Sequence, residues 1–170
     1  MSLSKEERVA DCNLALRLMC EAVGDKDLLL AECEIASPPF DAIRNTTWQQ
    51  LEYDCLIKDS STIGCRRYIL TGDGWRKALD LNWDAYKTQF MTRLSTLSKA
   101  LKDIVKGRSE DGYTYADALA NQTGIPAAWI SNVIEAKLLD NQFDMQGVEW
   151  YDDSGTIVIP LSFGLRPLDF

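Results

Sequence analysis

The chain has 170 residues, of which 46% are hydrophobic and 26% are charged, and its formal net charge is −8. These proportions are typical of a folded globular protein and exclude a disordered or fibrous chain. No apolar run reaches the roughly 18–20 residues that a membrane helix needs, and the N-terminal segment has no signal-peptide pattern. We therefore expect a soluble, cytoplasmic protein without membrane contacts.

Histidine is absent from the chain. This absence excludes serine–histidine and cysteine–histidine catalysis and imidazole metal ligands, and no nucleotide-binding glycine motif is present. The sequence therefore predicts a protein that is not an enzyme and that has no catalytic residues, cofactor or metal. The cysteines are odd in number and widely spaced, which favours reduced thiols, and their apolar neighbours predict that they are buried. They are Cys12, Cys20, Cys33, Cys55 and Cys65.

The first third of the chain predicts three helices. Apolar residues at intervals of three and four begin after Ser4, where Ser-Lys-Glu-Glu has the form of a capping box, and this first helix ends at Gly24. A second apolar segment covers residues 26–35. Ser37 and the two prolines that follow it then indicate the start of a third helix, whose apolar positions continue to about residue 56.

A β-hairpin and a further helix follow this region. Residues 65–70 have the β-branched and aromatic content of a strand, and the helical period resumes after Gly72 and Gly74. Two short patterns border the hairpin. Leucine followed by a Leu-Ile pair, residues 51–57, precedes it, and Tyr-Ile-Leu-Thr-Gly-Asp-Gly, residues 68–74, closes it.

These two patterns make residues 37–79 similar to the winged helix-turn-helix of bacterial regulators of the MarR and PadR kind. In those families the recognition helix ends in a comparable leucine and Leu-Ile step, and a Leu-Thr-x-x-Gly element opens the helix after the wing. The chain departs from this pattern at Cys55, where those proteins usually have glycine. The resemblance implies a DNA-binding unit whose recognition helix enters the major groove while the wing meets the backbone.

The second half of the chain repeats the same order of elements. A long helix is predicted over residues 83–105, and a short helix over residues 113–124 ends at a glycine that permits a left-handed backbone. A further helix covers residues 125–137, and residues 147–161 predict a hairpin with Asp-Asp-Ser-Gly at its tip. We therefore expect a second unit of two helices and a wing.

The predicted fold is mainly α with small β-hairpins, of the α+β class, with two tandem winged helix-turn-helix domains joined by the long helix. The domains are residues 4–82 and 83–170, and the second winged-helix-like unit spans residues 95–165. The apolar stripe of the long helix forms either the domain core or the seam of a homodimer. Its members are Trp83, Tyr86, Phe90, Leu94, Leu97, Leu101 and Ile104.

Local charge indicates which unit is the better candidate for binding DNA, because lysine and arginine neutralise phosphates. Residues 44–77 carry six basic and four acidic residues, and residues 83–108 carry six basic and two acidic ones, whereas residues 109–170 carry two basic and ten acidic ones. We therefore predict a transcription regulator whose first unit contacts double-stranded DNA. The candidate DNA-binding residues are Arg44, Asn45, Thr46, Gln49, Gln50, Lys58, Arg66 and Arg67.

The alternative is a protein-interaction or assembly module that does not bind DNA. The second unit is acidic and the helix around Trp129 begins with apolar residues, which favours a protein partner for this unit, although Trp129 itself is expected to be core. Tandem winged helices with acidic surfaces are found in assembly factors of chromosome segregation and endosomal sorting, and this chain resembles those factors in architecture only. In the first unit, strand alternation predicts that only one of Arg66 and Arg67 is free of the domain.

Overall fold

The computed structural model describes residues 3–24, 29–83, 86–105, 112–136, 138–139, 149–151 and 156–159. The chain divides into two compact units, Met1–Lys87 (unit 1) and Thr88–Phe170 (unit 2). Within the described residues, each unit combines helices with a three-stranded antiparallel sheet. The fold is therefore mainly helical and of the α+β class, as the sequence predicts. None of the helices in these ranges is long and apolar enough to cross a membrane.

Unit 1 begins with a long helix and continues with short elements. Its sheet has the strand order β1-β3-β2, so that β3, the last of the three strands of unit 1 in sequence, is the central one. The elements are α1 (Lys5–Gly24), β1 (Cys33–Glu34), a 3₁₀ turn (Phe40–Ala42), α2 (Asn45–Tyr53), β2 (Ile57–Asp59), β3 (Arg67–Leu70) and α3 (Gly72–Ala78).

The start of α1 is fixed by the capping box that the sequence predicts. The Ser4 hydroxyl accepts a hydrogen bond from the Glu7 N–H at 3.1 Å, and the Glu7 carboxylate accepts one from the Ser4 N–H at 2.7 Å. Each side chain thus satisfies a backbone donor that a helix end leaves without a partner. The core-facing side of α1 consists of Ala15, Leu16, Met19, Cys20 and Val23.

Two of the helices predicted for unit 1 are wrong in part. In segment 26–35, Cys33–Glu34 is a strand that pairs with β3, and residues 29–30 form a turn. The helix predicted over residues 37–56 is divided, because Ile43 and Arg44 have extended backbones between the 3₁₀ turn and α2. Both differences come from backbone pairing and turn geometry, which the spacing of apolar residues does not encode.

The Leu-Thr-x-x-Gly pattern has a physical explanation at the start of α3. The Thr71 hydroxyl accepts from the Gly74 N–H at 3.0 Å and donates to the Cys55 carbonyl oxygen at 2.7 Å. A Cβ atom added to Gly74 would lie 2.0 Å from the Leu56 carbonyl oxygen. The pattern therefore caps α3 and allows it to pack directly on the backbone that joins α2 to β2.

Aromatic residues form much of the core of unit 1. Trp48 of α2 stacks on Tyr68 of β3 at 5.8 Å between ring centroids, and it meets Phe40 edge-on at 6.1 Å. Trp75 lies 6.1 Å from Trp83, whose indole N–H donates to the Ala78 carbonyl oxygen. The prediction that Trp83 belongs to the long helix is thus wrong, because it is buried in unit 1 before that helix begins.

The cysteines differ in exposure, although all five lie in described ranges and none of them forms a disulfide. Cys20 and Cys33 are buried, Cys12 and Cys65 are half-buried, and burial raises the pKa of the Cys12 thiol. Cys55 is exposed, so the prediction that it is buried is wrong. It follows α2 with a φ of 56°, in the left-handed region that glycine adopts at lowest cost.

Unit 2 resembles unit 1 in its order of a long helix, a strand, a helix and a hairpin, but it has an α-helix, Ala116–Thr123, where unit 1 has the 3₁₀ turn, and no helix like α3 follows its hairpin in the described residues. Its sheet has the order β4-β6-β5, so that the last strand is again the central one. The elements are α4 (Tyr86–Val105), which begins in the last residues of unit 1, β4 (Gly112–Tyr115), α5 (Ala116–Thr123), α6 (Ala127–Glu135), β5 (Glu149–Tyr151) and β6 (Thr156–Ile159).

The predictions for unit 2 are confirmed at its turn and its hairpin. Gly124 ends α5 with a left-handed φ of 72°, and its N–H donates to the Ala120 carbonyl oxygen at 2.8 Å. The strands β5 and β6 pair as the hairpin requires, and its predicted tip lies outside the described residues. The helix predicted over residues 113–124 is wrong at its start, because residues up to Tyr115 form β4 and pair with β6.

The middle of the apolar stripe of α4 is core of the single chain, whereas Tyr86 is exposed and Ile104 is half-buried. Trp129 of α6 is buried as predicted, with its ring centroid 5.4 Å from that of Phe90 and the Arg93 guanidinium 5.7 Å above its ring. A homodimer through this helix stays a prediction, but its interface could not include the side chains that are already buried within the single chain. Those side chains are Phe90, Leu94, Leu97 and Leu101.

Candidate nucleic-acid interface

Helix α2 has a buried side and an exposed side. Thr47, Trp48 and Leu51 are buried, and the Thr47 hydroxyl donates to the Asp11 carboxylate of α1 at 2.9 Å. This bond fixes α2 on α1. The nominated residues of α2 and its N-cap are all exposed on the other side; they are Arg44, Asn45, Thr46, Gln49 and Gln50.

The nominated residues of the β2–β3 hairpin differ in their surroundings. Lys58 is exposed on β2, opposite Ile69 in the strand register. Arg67 is half-buried and forms an ion pair with Glu32 at 3.1 Å, so that its charge is already compensated. Arg66, directly before β3, is exposed. The geometry thus separates the two adjacent arginines, and Arg66 is the one that faces α2.

Arg66 connects the hairpin to the first turn of α2. Its guanidinium donates to the Asn45 side-chain oxygen and, at 2.9 Å, to the Tyr68 hydroxyl. The Tyr68 hydroxyl in turn donates to the Glu52 carboxylate at 3.3 Å. Burial raises the pKa of Tyr68, so its hydroxyl stays protonated near neutral pH. We call these four residues the Arg66 network.

Acidic side chains lie on the same elements as the nominated cations. Glu52 and Asp54 are exposed at the end of α2, and Asp59 is exposed at the end of β2. Asp54 accepts a hydrogen bond from the Gln50 amide at 3.0 Å. The positive balance of residues 44–77 is therefore weaker at this surface than the count suggests, because its carboxylates offset Arg44, Lys58 and Arg66.

The sequence analysis did not nominate Arg8. The structure places it on an open groove between the N-terminal ends of α1 and α2, which Arg44, Thr46 and Gln50 also line. The sequence does predict that Arg8 is exposed, because it lies in the first turns of α1 just after the capping box. The sequence does not predict its proximity to α2, because that depends on how the two helices cross.

The tip of the β2–β3 hairpin is a tight turn with an apolar side chain. Thr62 and Cys65 exchange two backbone hydrogen bonds of 3.0 Å, and Gly64 has a left-handed φ of 82°. Ile63 at this turn is fully exposed. A rigid turn that presents isoleucine to solvent is a feature that the sequence analysis did not single out.

The corresponding helix of unit 2 has a different surface. The sequence of α6 is Ala-Ala-Trp-Ile-Ser-Asn-Val-Ile-Glu and contains no basic residue. Its tryptophan, valine and two isoleucines are buried, which leaves Ala128 and Glu135 as its exposed residues. Such a surface offers no cation to neutralise a phosphate, and its half-exposed Ser131 and Asn132 are its remaining polar groups.

No protein-family model, curated protein or solved structure matches this chain. Within the described ranges, no group of three or more histidine, cysteine, aspartate or glutamate residues could hold a metal ion. The features of unit 1 that bear on function are therefore α2, the β2–β3 hairpin and the groove between α1 and α2.

Proposed function

We propose that both units are winged helices and that unit 1 binds double-stranded DNA in the manner of a transcription regulator. The support for the fold is the shared order of a long helix, a strand, a helix and a hairpin, together with the shared strand order, in which the last strand of each unit is central. In this arrangement α2 and α6 occupy the place of the recognition helix, and the β2–β3 and β5–β6 hairpins occupy the place of the wing.

One observation carries the DNA proposal. Five polar residues lie together on the exposed side of α2, next to a hairpin that presents Lys58 and Arg66. Arginine, asparagine and glutamine read base edges in the major groove, and the cations of a wing meet phosphates. The net charge of −8 weakens nonspecific attraction, so that the protein depends on specific contacts for its affinity.

The proposal is tested by a charge-matched pair of variants in binding titrations at several salt concentrations. The double variant Arg44→Gln and Lys58→Gln removes two cations from the proposed interface, and Lys77→Gln with Lys99→Gln removes two exposed cations from α3 and α4. We expect the first variant to lose at least tenfold in affinity and to lower the salt slope by roughly 1–2, because each lost phosphate contact lowers it by about 1.

The control variant should retain the affinity and slope of the parent protein. Equal losses in the two variants would mean that only net charge matters, and the proposed interface would be wrong. The same titration with the parent protein also tests whether unit 1 binds DNA at all. If the parent protein shows no salt-dependent binding to any duplex recovered by selection, it has no DNA-binding unit.

A second candidate is a protein-interaction module with a cytoplasmic location, which the free cysteines favour. The observations behind it are the fully exposed Ile63 and the uncharged first turns of α6. Light scattering at increasing protein concentration tests self-association, because the partner available in a purified sample is a second copy of the chain. A rise in mass that Ile63→Ser abolishes would support this candidate, and an unchanged monomer mass would remove the homodimer.

A further inference from the structure

The side-chain oxygen of Asn45 already has a partner. Asn45 is the first residue of α2 and is exposed, and its side-chain oxygen accepts a hydrogen bond from the Arg66 guanidinium. A side-chain amide has an oxygen with two acceptor sites and a nitrogen with two donor hydrogens. The bond from Arg66 occupies one acceptor site, and its positive charge beside the oxygen disfavours a second donor from a ligand, so the nitrogen is the group that Asn45 offers most readily.

Arg66 is held in this position by a buried anchor. Its guanidinium lies 5.9 Å from the centroid of the Tyr68 ring and donates to the Tyr68 hydroxyl at 2.9 Å. Tyr68 itself is buried, stacks on Trp48 and donates to Glu52 at 3.3 Å. The hairpin and α2 thus fix Arg66 from both sides, so the bond to Asn45 does not depend on one flexible side chain.

The occupied oxygen changes which base Asn45 can read. Asparagine with both groups available binds adenine bidentately, because adenine presents an acceptor and a donor side by side in the major groove. An amide whose oxygen lies beside a bound guanidinium offers its nitrogen more readily than its oxygen, and this suits a base edge that presents acceptors. Guanine presents two adjacent acceptors, O6 and N7, and no donor on that edge.

We propose that Arg66 is a positioning residue that makes Asn45 a hydrogen-bond donor toward DNA, so that unit 1 selects guanine where the first turn of α2 meets the major groove. This inference rests on the proposed function. Arg66 acts through Asn45 in this role, which is separate from the phosphate contact that the proposed function gives to its charge. The Arg66 network therefore sets a base preference, in addition to any contribution of its charge to affinity.

Selection from a library of random duplexes, followed by sequencing, tests the inference with two variants that change opposite halves of the contact. Arg66→Met removes the donor and keeps much of the aliphatic stem, so Asn45 regains its oxygen and the preference should change from guanine to adenine. Asn45→Asp replaces the amide with a second acceptor beside the one that Arg66 holds, so the preference should change to cytosine, whose N4 donates. We expect a change of about tenfold or more at this one position in each case.

Tyr68→Phe is the matched control for charge. It removes the hydroxyl from the anchor but keeps the ring on Trp48 and every formal charge. The preference for guanine should weaken severalfold while the salt slope stays that of the parent protein. Thermal denaturation of all three variants confirms that they fold, and the exposure of Asn45 and Arg66 makes their substitution compatible with folding.

The outcomes separate the two levels of the argument. An enriched site whose base preferences are the same in the parent protein, Arg66→Met and Asn45→Asp overturns the inference and leaves the proposed function in place. If the parent protein enriches no site, the proposed function fails and the inference fails with it. A change at the predicted position alone, with opposite outcomes for the two variants, supports both.

Discussion

Units 1 and 2 share the order of a long helix, a strand, a helix and a hairpin, but they present different chemistry on the helix before the hairpin. The exposed side of α2 carries arginine, asparagine, threonine and two glutamines, whereas α6 leaves only Ala128 and Glu135 exposed. The buried sides are alike in kind, since each contains a tryptophan in contact with another aromatic ring. The comparison teaches that buried residues maintain the architecture while exposed residues are free to diverge in function.

The units also differ in how they make their tight turns. Unit 1 uses Cys55 in a left-handed conformation two residues after the end of α2, and unit 2 uses Gly124 directly after α5. Unit 1 further depends on Gly74, which lies against a carbonyl oxygen, whereas a Cβ on Gly124 would meet nothing within 4 Å. Substitutions at these positions therefore measure how strongly each unit depends on local backbone geometry.

The largest effect is expected for Gly74→Ala. A Cβ atom 2.0 Å from the Leu56 carbonyl oxygen forces α3 away from the backbone beneath it. We expect the free energy of unfolding to fall by about 3 kcal/mol, the upper part of the range for overpacked cores. Chemical denaturation followed by tryptophan fluorescence measures this loss. A loss below about 1 kcal/mol would show that α3 shifts easily and that unit 1 is no more constrained here than unit 2.

A smaller loss is expected for Thr71→Ala. The substitution removes the cap of α3 and the bond from the Thr71 hydroxyl to the Cys55 carbonyl oxygen. The loss should be about 1–2 kcal/mol, the range measured for N-cap residues. Thr71→Ser keeps both hydrogen bonds and serves as the control, with a denaturation midpoint close to that of the parent protein. Equal losses for alanine and serine would assign the effect to the Thr71 methyl group.

The left-handed positions should respond in opposite directions. Cys55→Gly relieves the cost of a side chain at φ 56° and should stabilise unit 1 by about 1 kcal/mol, whereas Gly124→Ala should destabilise unit 2 by about 1 kcal/mol. Differential scanning calorimetry measures both changes in the melting temperature. A destabilising Cys55→Gly would mean that the cysteine side chain contributes contacts that outweigh its backbone strain.

The smallest effect is a pH dependence confined to the hairpin of unit 1. Hydrogen bonds from the Ser61 side chain and backbone lower the pKa of the exposed Asp59 carboxyl. The pKa of Asp59 is lower in the folded protein than in the unfolded chain, so its carboxylate stabilises the folded state at pH values above its ordinary pKa of about 3.9. This stabilisation is lost as the pH falls through the lowered pKa of the folded state. A carbon-detected NMR titration of Asp59 measures the shift, and Ser61→Ala should return the pKa toward its ordinary value.

The features of the fold that could be predicted from sequence are those encoded by neighbouring residues. The capping box at Ser4 and the left-handed Gly124 are local signals, and both are confirmed. The strands β1 and β4 were not predicted because each of them forms by pairing with a strand that comes later in the chain. In β1, for example, Cys33 pairs with Tyr68, which is 35 residues away. A two-residue strand has no period of its own to detect.

The candidate site divides in the same way. The exposure of Asn45, Gln49 and Gln50 follows from the helical spacing of their buried neighbours, which the sequence contains. The ion pair of Arg67 with Glu32 and the bond from Arg66 to Asn45 join residues 35 and 21 positions apart. Only the folded chain brings these partners together, so the sequence could nominate the arginines but could not distinguish their roles.

The position of Cys55 offers a spectroscopic handle on unit 1. It is the one exposed thiol among the five cysteines, all of which lie in described ranges, and burial raises the pKa of the Cys20 thiol far from the reactive range. A maleimide dye would therefore react first at the junction between α2 and β2, without any engineered cysteine. Its fluorescence anisotropy would report directly, and in real time, when this surface meets a ligand.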